Sequence, residues 1–406
     1  MRQMPAVTRL TLTRFRNYRA ARIEVEARPV VLCGPNGAGK TNLLEALSFL
    51  SPGRGLRRAR LPEIVTDGTE SDAAPPDPSP APKAGNGWAV AATLSGTPGV
   101  AVIGTGWEPG TGSPGTPGRE RRLLRIDGQP VRTQTVLAGH LSLLWLTPQM
   151  DRLFVEGSGG RRRFLDRLVF GFDAGHAGRL ARYEHALRER ARLLREGVRD
   201  PSWLAALEDQ MATTGVAVTA ARREAVQRLN RACAAAIGPF PQAELAVSGV
   251  VEGWLDERPA LLVEDAVRLR LREQRSADAE SGSAAVGAHR SDVLVSLRTG
   301  SAGMMPADRC STGEQKALLL AIVLANARLL AELPTGPPLL LLDEVVAHLD
   351  ADRRAALFRE VMALGGQAWL TGTDAPLFAP LKDEAQFVSI VAGRPSTMDS
   401  DGRIEV

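Results

Sequence analysis

The chain has 406 residues, 44% of them hydrophobic and only 4% aromatic, so a sizeable core is available and is built mostly from Leu, Val and Ala. No apolar run reaches membrane-spanning length and the N-terminus alternates rather than forming a leader, which argues against a membrane-embedded or secreted protein. Three cysteines (Cys33, Cys233 and Cys310) are far apart and form no C-x-x-C pair. That argues against a disulfide framework or a zinc site and fits a reducing, cytoplasmic setting. The net charge of +4 is compatible with a polyanionic partner without requiring one.

From the N-terminus, Val7 to Thr13 and Arg22 to Glu26 alternate apolar and polar, which predicts a strand pair. The apolar run Pro29 to Cys33 predicts a buried strand, and residues 42–50 predict a helix. Between them lies Gly34-Pro35-Asn36-Gly37-Ala38-Gly39-Lys40-Thr41, a match to G-x-x-x-x-G-K-[ST] in the strand–loop–helix context that this motif needs. Its backbone N–H groups and the following helix N-terminus suit an anion. Lys40 would reach the β- and γ-phosphates of a nucleotide and Thr41 would ligate Mg2+. Of fifty basic residues only four are lysine (Lys40, Lys83, Lys316 and Lys382), which lowers the odds of a chance match.

A basic loop follows, with Arg54, Arg57, Arg58 and Arg60. Residues 71–118 hold ten Gly and nine Pro, which excludes long regular elements, although Trp88 to Leu94 and Val100 to Ile103 still look like short strands. The stretches 73–82 and 109–118 read as loops. Asp127-Gly128, flanked by 121–126 and 129–132, is a hairpin signal. Residues 86–146 therefore predict a small antiparallel sheet beside a nucleotide-binding core.

Leu180, Tyr183, Leu187 and Leu194 keep helical spacing, and Asp200-Pro201 opens a second helix running to Ile237, about 50 Å long. The pair suggests an antiparallel arm ended by Gly238-Pro239-Phe240-Pro241. Gly215 weakens the middle of the second helix, residues 276–287 read as a flexible return, and Asp292 to Leu297 alternates as a strand. Cys310-Ser311-Thr312-Gly313-Glu314-Gln315-Lys316 opens a further helix that Ser311 can cap. Leu339 to Leu342 predicts a central parallel strand ending in Asp343 and Glu344. Asp343 suits the shell of Mg2+ and Glu344 suits polarising an attacking water.

The order of phosphate loop, long insertion, Ser311 to Lys316, acidic strand and Ala347-His348-Leu349-Asp350 resembles ABC-type ATPases, and the inserted arm resembles the branch related to SMC proteins. Four further strings resemble the bacterial RecF family: Phe15-Arg16-Asn17-Tyr18, residues 39–46, Arg161-Arg162-Arg163-Phe164-Leu165-Asp166, and Gly287-Ala288-His289-Arg290-Ser291-Asp292. The match runs from about residue 7 to about residue 392.

The resemblance implies an α/β fold: an ABC-type ATPase head with a phosphate-loop core, an antiparallel subdomain and an inserted helical arm. The expected boundaries are 1–160 and 285–406 for the head and 161–284 for the arm. It implies a DNA replication and repair protein, active in recombinational repair and the SOS response. Such a protein binds ATP with Mg2+, dimerises head to head, holds duplex DNA and single-strand/duplex junctions, and hydrolyses ATP slowly. It would work with RecO and RecR to place recombinase at gaps.

By position, Gly34, Pro35, Asn36, Gly37, Ala38, Gly39, Lys40 and Thr41 form Walker A. Ser311, Gly313 and Glu314 form the signature that completes the partner's site. Asp343 and Glu344 are Walker B, and Asp350 belongs to the D-loop. Gln149 stands at the Q-loop position, and Arg16 and Asn17 stand where base contacts are expected. Thr373 occupies the switch position where transporter ATPases carry His, which suits slow turnover. The string 287–292 departs from the family pattern and assigns no chemistry to His289 or Arg290.

Candidate DNA-phosphate contacts are Arg54, Arg57, Arg58 and Arg60 and the triplet Arg161, Arg162 and Arg163, on loops that neutralise backbone without reading sequence. Two other readings compete: the ATPase subunit of a membrane transporter, and an SMC-type structural ATPase. The wide separation of phosphate loop and signature argues against the first. About 120 inserted residues are too few for the coiled-coil arms of the second.

Overall fold

The computed structural model describes residues 5–66, 86–96, 99–109, 121–197, 200–235, 238–299, 303–391 and 393–398. Apart from Pro109, the loops expected at 73–82 and 109–118 lie outside the described residues. The chain forms two compact units, Met1–Pro148 with Ala327–Val406, and Gln149–Asn326.

The first unit begins with β1 (Ala6–Phe15) and β2 (Tyr18–Glu24), paired antiparallel as their alternation predicts. Then come β3 (Val30–Cys33), all four residues buried, and α1 (Lys40–Ser48). β4 (Trp88–Ser95), β5 (Ala101–Trp107), β6 (Leu123–Ile126) and β7 (Gln129–Pro130) extend the antiparallel sheet in the order β2-β1-β4-β5-β6-β7. Asp127 and Gly128, at φ 49° and 80°, make the left-handed turn that Asp-Gly predicts. β8 (Leu143–Leu146) departs from expectation. It does not end the antiparallel sheet, because its four buried residues have no solvent face and need cover on both sides.

The second unit contains α2 (Ser158–Phe170), α3 (His176–Arg195), α4 (Pro201–Ala234), β9 (Ala243–Ser248), α5 (Val250–Glu257), α6 (Ala260–Glu273), α7 (Arg275–Ser281), β10 (Asp292–Arg298), β11 (Met304–Pro306) and the start of α8 (Thr312–Ala331). It is wider than the 161–284 arm expected from sequence, because β9, β10 and β11 form their own antiparallel sheet and belong with the helices. Asp200 caps α4, accepting from Ser202 N at 2.9 Å and Trp203 N at 3.2 Å. Gly215 does not interrupt α4. A Cβ there would lie 2.8 Å from the Tyr183 ring, so glycine lets α3 and α4 approach closely.

The first half of the expected flexible return is helical, as α7 runs to Ser281. In α7 Asp278 is buried, accepts from Arg190 Nη1 at 2.8 Å and from Ala285 N at 3.0 Å, and so ties the turn to α3. Arg190 also donates to Glu208 at 3.0 Å and to Leu271 O at 2.6 Å, and Arg275 pairs with Glu208 at 2.5 Å. This ionic knot lies beside an apolar core that includes Tyr183, Leu193, Met211 and Leu271.

The chain then returns to the first unit through β12 (Leu339–Leu342), α9 (Ala351–Leu364), β13 (Ala368–Gly372), β14 (Gln386–Val391) and β15 (Arg394–Met398). The second sheet of this unit runs β15-β14-β3-β13-β12-β8, parallel from β14 to β8. The strands preceding the phosphate loop and the acidic pair are therefore separated by β13 alone. No helix among the described residues is long and apolar enough to cross a membrane.

Removing Arg190 leaves Asp278 without its ion-pair partner and Glu208 with Arg275 alone. Arg190→Ala is expected to destabilise the second unit by about 3–5 kcal/mol, read as a lowered urea midpoint. An unchanged midpoint would show that the knot contributes nothing.

His289 supplies a pH-dependent contribution. Its Nδ1 accepts from the Tyr183 hydroxyl at 2.6 Å and its Nε2–H donates to Ala284 O at 2.9 Å. Burial pushes its pKa down to about 4 from 6.5. The unfolded chain takes up a proton that the fold refuses, so stability is lost as pH falls from about 6.5 towards 4. Between pH 7 and pH 5 the urea midpoint should fall further in the unaltered chain than in His289→Gln; equal falls would remove His289 from the acid response.

Candidate functional site

The phosphate loop is wrapped by its neighbours. Gly34, at φ 154°, lies against β14, where a Cβ would sit 2.2 Å from Ile390 O. Gly39, at φ 114°, begins α1 with no side-chain cap, an arrangement in which the first helical N–H groups suit an anion. The Tyr18 hydroxyl donates to Gly39 O at 3.1 Å and Asn17 Nδ2 donates to Ala38 O at 3.2 Å, fixing the loop from outside. Lys40 Nζ donates to Gly34 O at 2.6 Å and Pro35 O at 3.0 Å, so the ammonium is carried across the loop.

The acidic strand end meets this loop. Thr41 Oγ1 donates to Asp343 Oδ1 at 3.0 Å, joining residues 302 apart in the chain. Thr371 Oγ1, at the end of β13, donates to the same Oδ1 at 2.8 Å and accepts from Glu344 N at 2.8 Å. Glu344 has φ 51°, a left-handed conformation unusual for a glutamate. Burial raises the Asp343 carboxyl above its usual range; the Thr371 and Thr41 hydroxyls pull it back, the nearby Glu344 charge pushes it up, and the Arg57 charge opposes that. A carboxylate and a threonine hydroxyl 3.0 Å apart form an all-oxygen donor set that fits a small hard cation such as Mg2+. Thr371 was not marked by any sequence motif; sheet order alone brings it here. Thr373, at the switch position, is exposed.

Around α1 the arginines hold the helix. Arg16 grips the fully buried Glu45 with two bonds, at 2.9 and 2.7 Å, and also donates to Glu63 O at 3.0 Å. Asn17 binds the loop and accepts from Asn42 Nδ2 at 2.7 Å. Arg16, half-buried, braces α1, and Asn17, exposed, braces the phosphate loop. Arg57 donates to Asn42 Oδ1 at 2.6 Å and Glu45 Oε2 at 3.0 Å, so it also serves α1 rather than an outside phosphate. Arg122, which sequence reasoning missed, is buried at the other end of α1. It donates to Phe49 O, to Ser51 O and Gly53 O at 3.1 Å each, to Thr105 Oγ1 at 2.7 Å and to Gln134 Oε1 at 3.3 Å. A cation there satisfies the carbonyl of the C-cap Phe49 and two carbonyls just beyond the helix, and opposes the partial negative charge of the helix end. Burial lowers its pKa to about 9, so it stays charged at neutral pH. Arg54, Arg58 and Arg60 are exposed.

In the second unit Ser311 and Glu314, expected in the signature, open α8 as a capping box. Ser311 N and Oγ donate to Glu314 Oε2 at 2.8 and 2.7 Å, and Glu314 N donates to Ser311 Oγ at 3.3 Å. Gln149 is exposed on a short 3-10 turn, Pro148–Arg152. In the first unit Asp350, expected in the D-loop, caps α9 by accepting from Arg353 N at 2.8 Å.

The triplet 161–163 lies on α2, not on a loop, and two of its members are engaged. Arg161 grips Asp292 at 2.9 and 2.8 Å, and Arg162 donates to Ser158 Oγ at 2.8 Å and Ser291 O at 2.6 Å. Only Arg163 of the three is exposed. Asp166 pairs with Arg222 at 2.7 and 2.8 Å, and Arg222 donates to Ala288 O at 2.6 Å. The strings 161–166 and 287–292 thus pack on each other.

A parallel sheet with a phosphate loop after one strand, an acidic pair after another and an antiparallel sheet in the same unit defines an ABC-type ATPase head. The second unit is inserted in the chain between the two parts of the first. An SMC head from Pyrococcus furiosus with an extended coiled coil, bound to the C-terminal domain of ScpA, shares this fold at TM-score 0.52 and 16% identity, covering 97% of this chain and 96% of that one. The solved structure of the recombination mediator RecF-ATPrS is closer in shape, with TM-score 0.79 at 20% identity over 98% of this chain and 99% of that one.

A family profile described as an AAA domain matches residues 9–67. The DNA replication and repair protein RecF of Rhizobium rhizogenes is 49% identical over 389 residues, covering 95% of this chain and 97% of that protein. RecF of Mesorhizobium japonicum is 46% identical over 399 residues, covering 96% and 98%. The chain belongs to the RecF family of DNA replication and repair proteins.

Proposed function

We propose that this chain is an ATP-dependent DNA-binding protein of replication and recombinational repair, a weak DNA-stimulated ATPase used as a switch. The observation that carries the reading is the 3.0 Å bond between Thr41 and Asp343, which unites the two halves of a nucleotide site. Gly34 to Thr41 grip the phosphates through backbone N–H groups, with Lys40 balancing their charge. Thr41 and Asp343 hold Mg2+, with Gln149 as a further candidate. When bound, the ion neutralises charge on the phosphate oxygens. Glu344 orients and polarises the attacking water.

Ser311, Gly313 and Glu314 engage the nucleotide held by a second copy, with Asp350 at the seam, so that ATP drives homodimerisation. Two copies present twice the exposed basic surface, with Arg54, Arg58, Arg60 and Arg163 as the phosphate contacts. Arg57, Arg161 and Arg162, half-buried and held by the bonds described above, are left out of that set. RecO and RecR are the partners that the RecFOR pathway named for the solved relatives suggests, and the cytoplasm is the expected compartment. The roughly 270 residues between Walker A and Ser311 weigh against a transporter subunit.

In light scattering, ATP is expected to convert monomer to dimer. Lys40→Ala abolishes the shift because binding is lost, whereas Glu344→Gln keeps the dimer because hydrolysis is lost. A Glu344→Gln chain that turns over like the unaltered protein would remove Glu344 from the water-activating role.

Duplex affinity should fall steeply with salt and vary little with sequence. Arg54→Ala, Arg58→Ala or Arg60→Ala should each reduce the slope of log K against log salt by about 1, whereas Arg161→Gln should leave the slope unchanged. Equal slopes for all four variants would place the contact surface elsewhere.

A further inference from the structure

We propose that Thr371 is a positioning residue for both Walker B acids: its hydroxyl holds Asp343 at the metal position and sets the backbone from which Glu344 is aimed. The inference rests on the reading above in which Asp343 and Glu344 do the chemistry. Thr371 is 1% exposed and its hydroxyl has one proton, which goes to Asp343 Oδ1 at 2.8 Å. Its lone pair takes the Glu344 N–H at 2.8 Å. One oxygen therefore bridges two consecutive residues with different tasks.

The backbone of Glu344 explains why the bridge matters. A left-handed φ of 51° is strained for a non-glycine residue and persists only where its surroundings enforce it. The N–H bond to Thr371 is a direct restraint on that conformation. Without the hydroxyl, the N–H and the carboxylate each lose a buried partner, and Glu344 is free to relax towards ordinary backbone angles. Its carboxylate then leaves the line of attack. The phosphate loop is untouched by this change, since Lys40 and the loop carbonyls hold each other independently. Thr41 still reaches Asp343 from α1.

The test compares Thr371→Val, which keeps the shape and removes the hydroxyl, with Thr371→Ser, which keeps the hydroxyl. ATP affinity by equilibrium binding, ATP-driven dimerisation by light scattering and thermal unfolding are measured beside turnover. Thr371→Val should lower kcat by roughly 10- to 100-fold, as loss of an outer-shell partner does. It should bind ATP within about threefold of the unaltered chain and accumulate as the ATP-bound dimer. Thr371→Ser should restore turnover to within about threefold.

Full turnover in Thr371→Val overturns the proposal. Loss of ATP binding in a folded Thr371→Val does so too, because Thr371 would then support the pocket as a whole. A folded Thr371→Ser that turns over about 10-fold or more below the unaltered chain also overturns it, and this arm stands even where the valine variant does not fold. Glu344→Gln separates the layers. If it turns over normally, the underlying reading fails; if it is inactive while Thr371→Val is normal, only the bridge fails.

Discussion

Two threonine hydroxyls converge on one oxygen of Asp343, from α1 at 3.0 Å and from β13 at 2.8 Å, and the nucleotide site depends on that convergence. A carboxylate this buried is costly unless hydrogen bonds compensate it. The compensation demands that three segments far apart in the chain meet within a few ångströms. The parallel register provides this: Leu342 lies opposite Leu370, and Thr371 opposite Leu32. Because β13 lies between β3 and β12, its end is next to both the loop that leads to Thr41 and the strand that leads to Asp343. A slip of one residue would turn the Thr371 side chain to the opposite face of the sheet and leave Asp343 with one hydroxyl.

The same constraint explains what could be read in the sequence. Walker A and Walker B are contiguous strings whose residue types are dictated by what they do, so both stand out without any fold. Glu45, Arg122 and Thr371 are ordinary residues whose importance lies in the partners that folding supplies. Thr371 is 28 residues beyond Asp343, in a Thr-Gly-Thr string that drew attention to Thr373 instead. β8 is a similar case. Four apolar residues show no period, and only the sheet order decides that they flank β12 rather than close the antiparallel sheet.

Arginine is where sequence reading overreached. Clusters at 54–60 and 161–163 read as surfaces for a polyanion because charge density is visible in one dimension and pairing is not. In three dimensions Arg57 shares Glu45 with Arg16, and Arg161 closes a bidentate pair with Asp292. Their charge is already balanced by a neighbouring carboxylate, so a phosphate would have to compete for them. With a net charge of only +4, the DNA binding proposed for the exposed arginines needs several of them at once, and it is therefore joined to the proposed association of two copies.

Those internal pairs also account for the second unit. A segment read as helices with a flexible return instead closes on itself through Arg190, Glu208, Asp278 and Arg275, and through Arg222 and Asp166. Burial alone would raise the Asp166 carboxyl, but Arg222 and His176 hold it below its usual range, so the pair stays ionised. Buried pairs of this kind add little net stability over apolar packing, yet each is very costly to break on one side. They act as selectors of register: sliding α3 or α4 by a turn would leave charges stranded. The strings 161–166 and 287–292 follow the same logic. Arg161 needs Asp292, Arg162 needs the carbonyl of Ser291, and Asp166 needs the arginine that also binds Ala288 O. Residues 131 and 129 positions apart are thereby bound to one another's chemistry, and a string that looks functional in one dimension is in the fold one half of a joint.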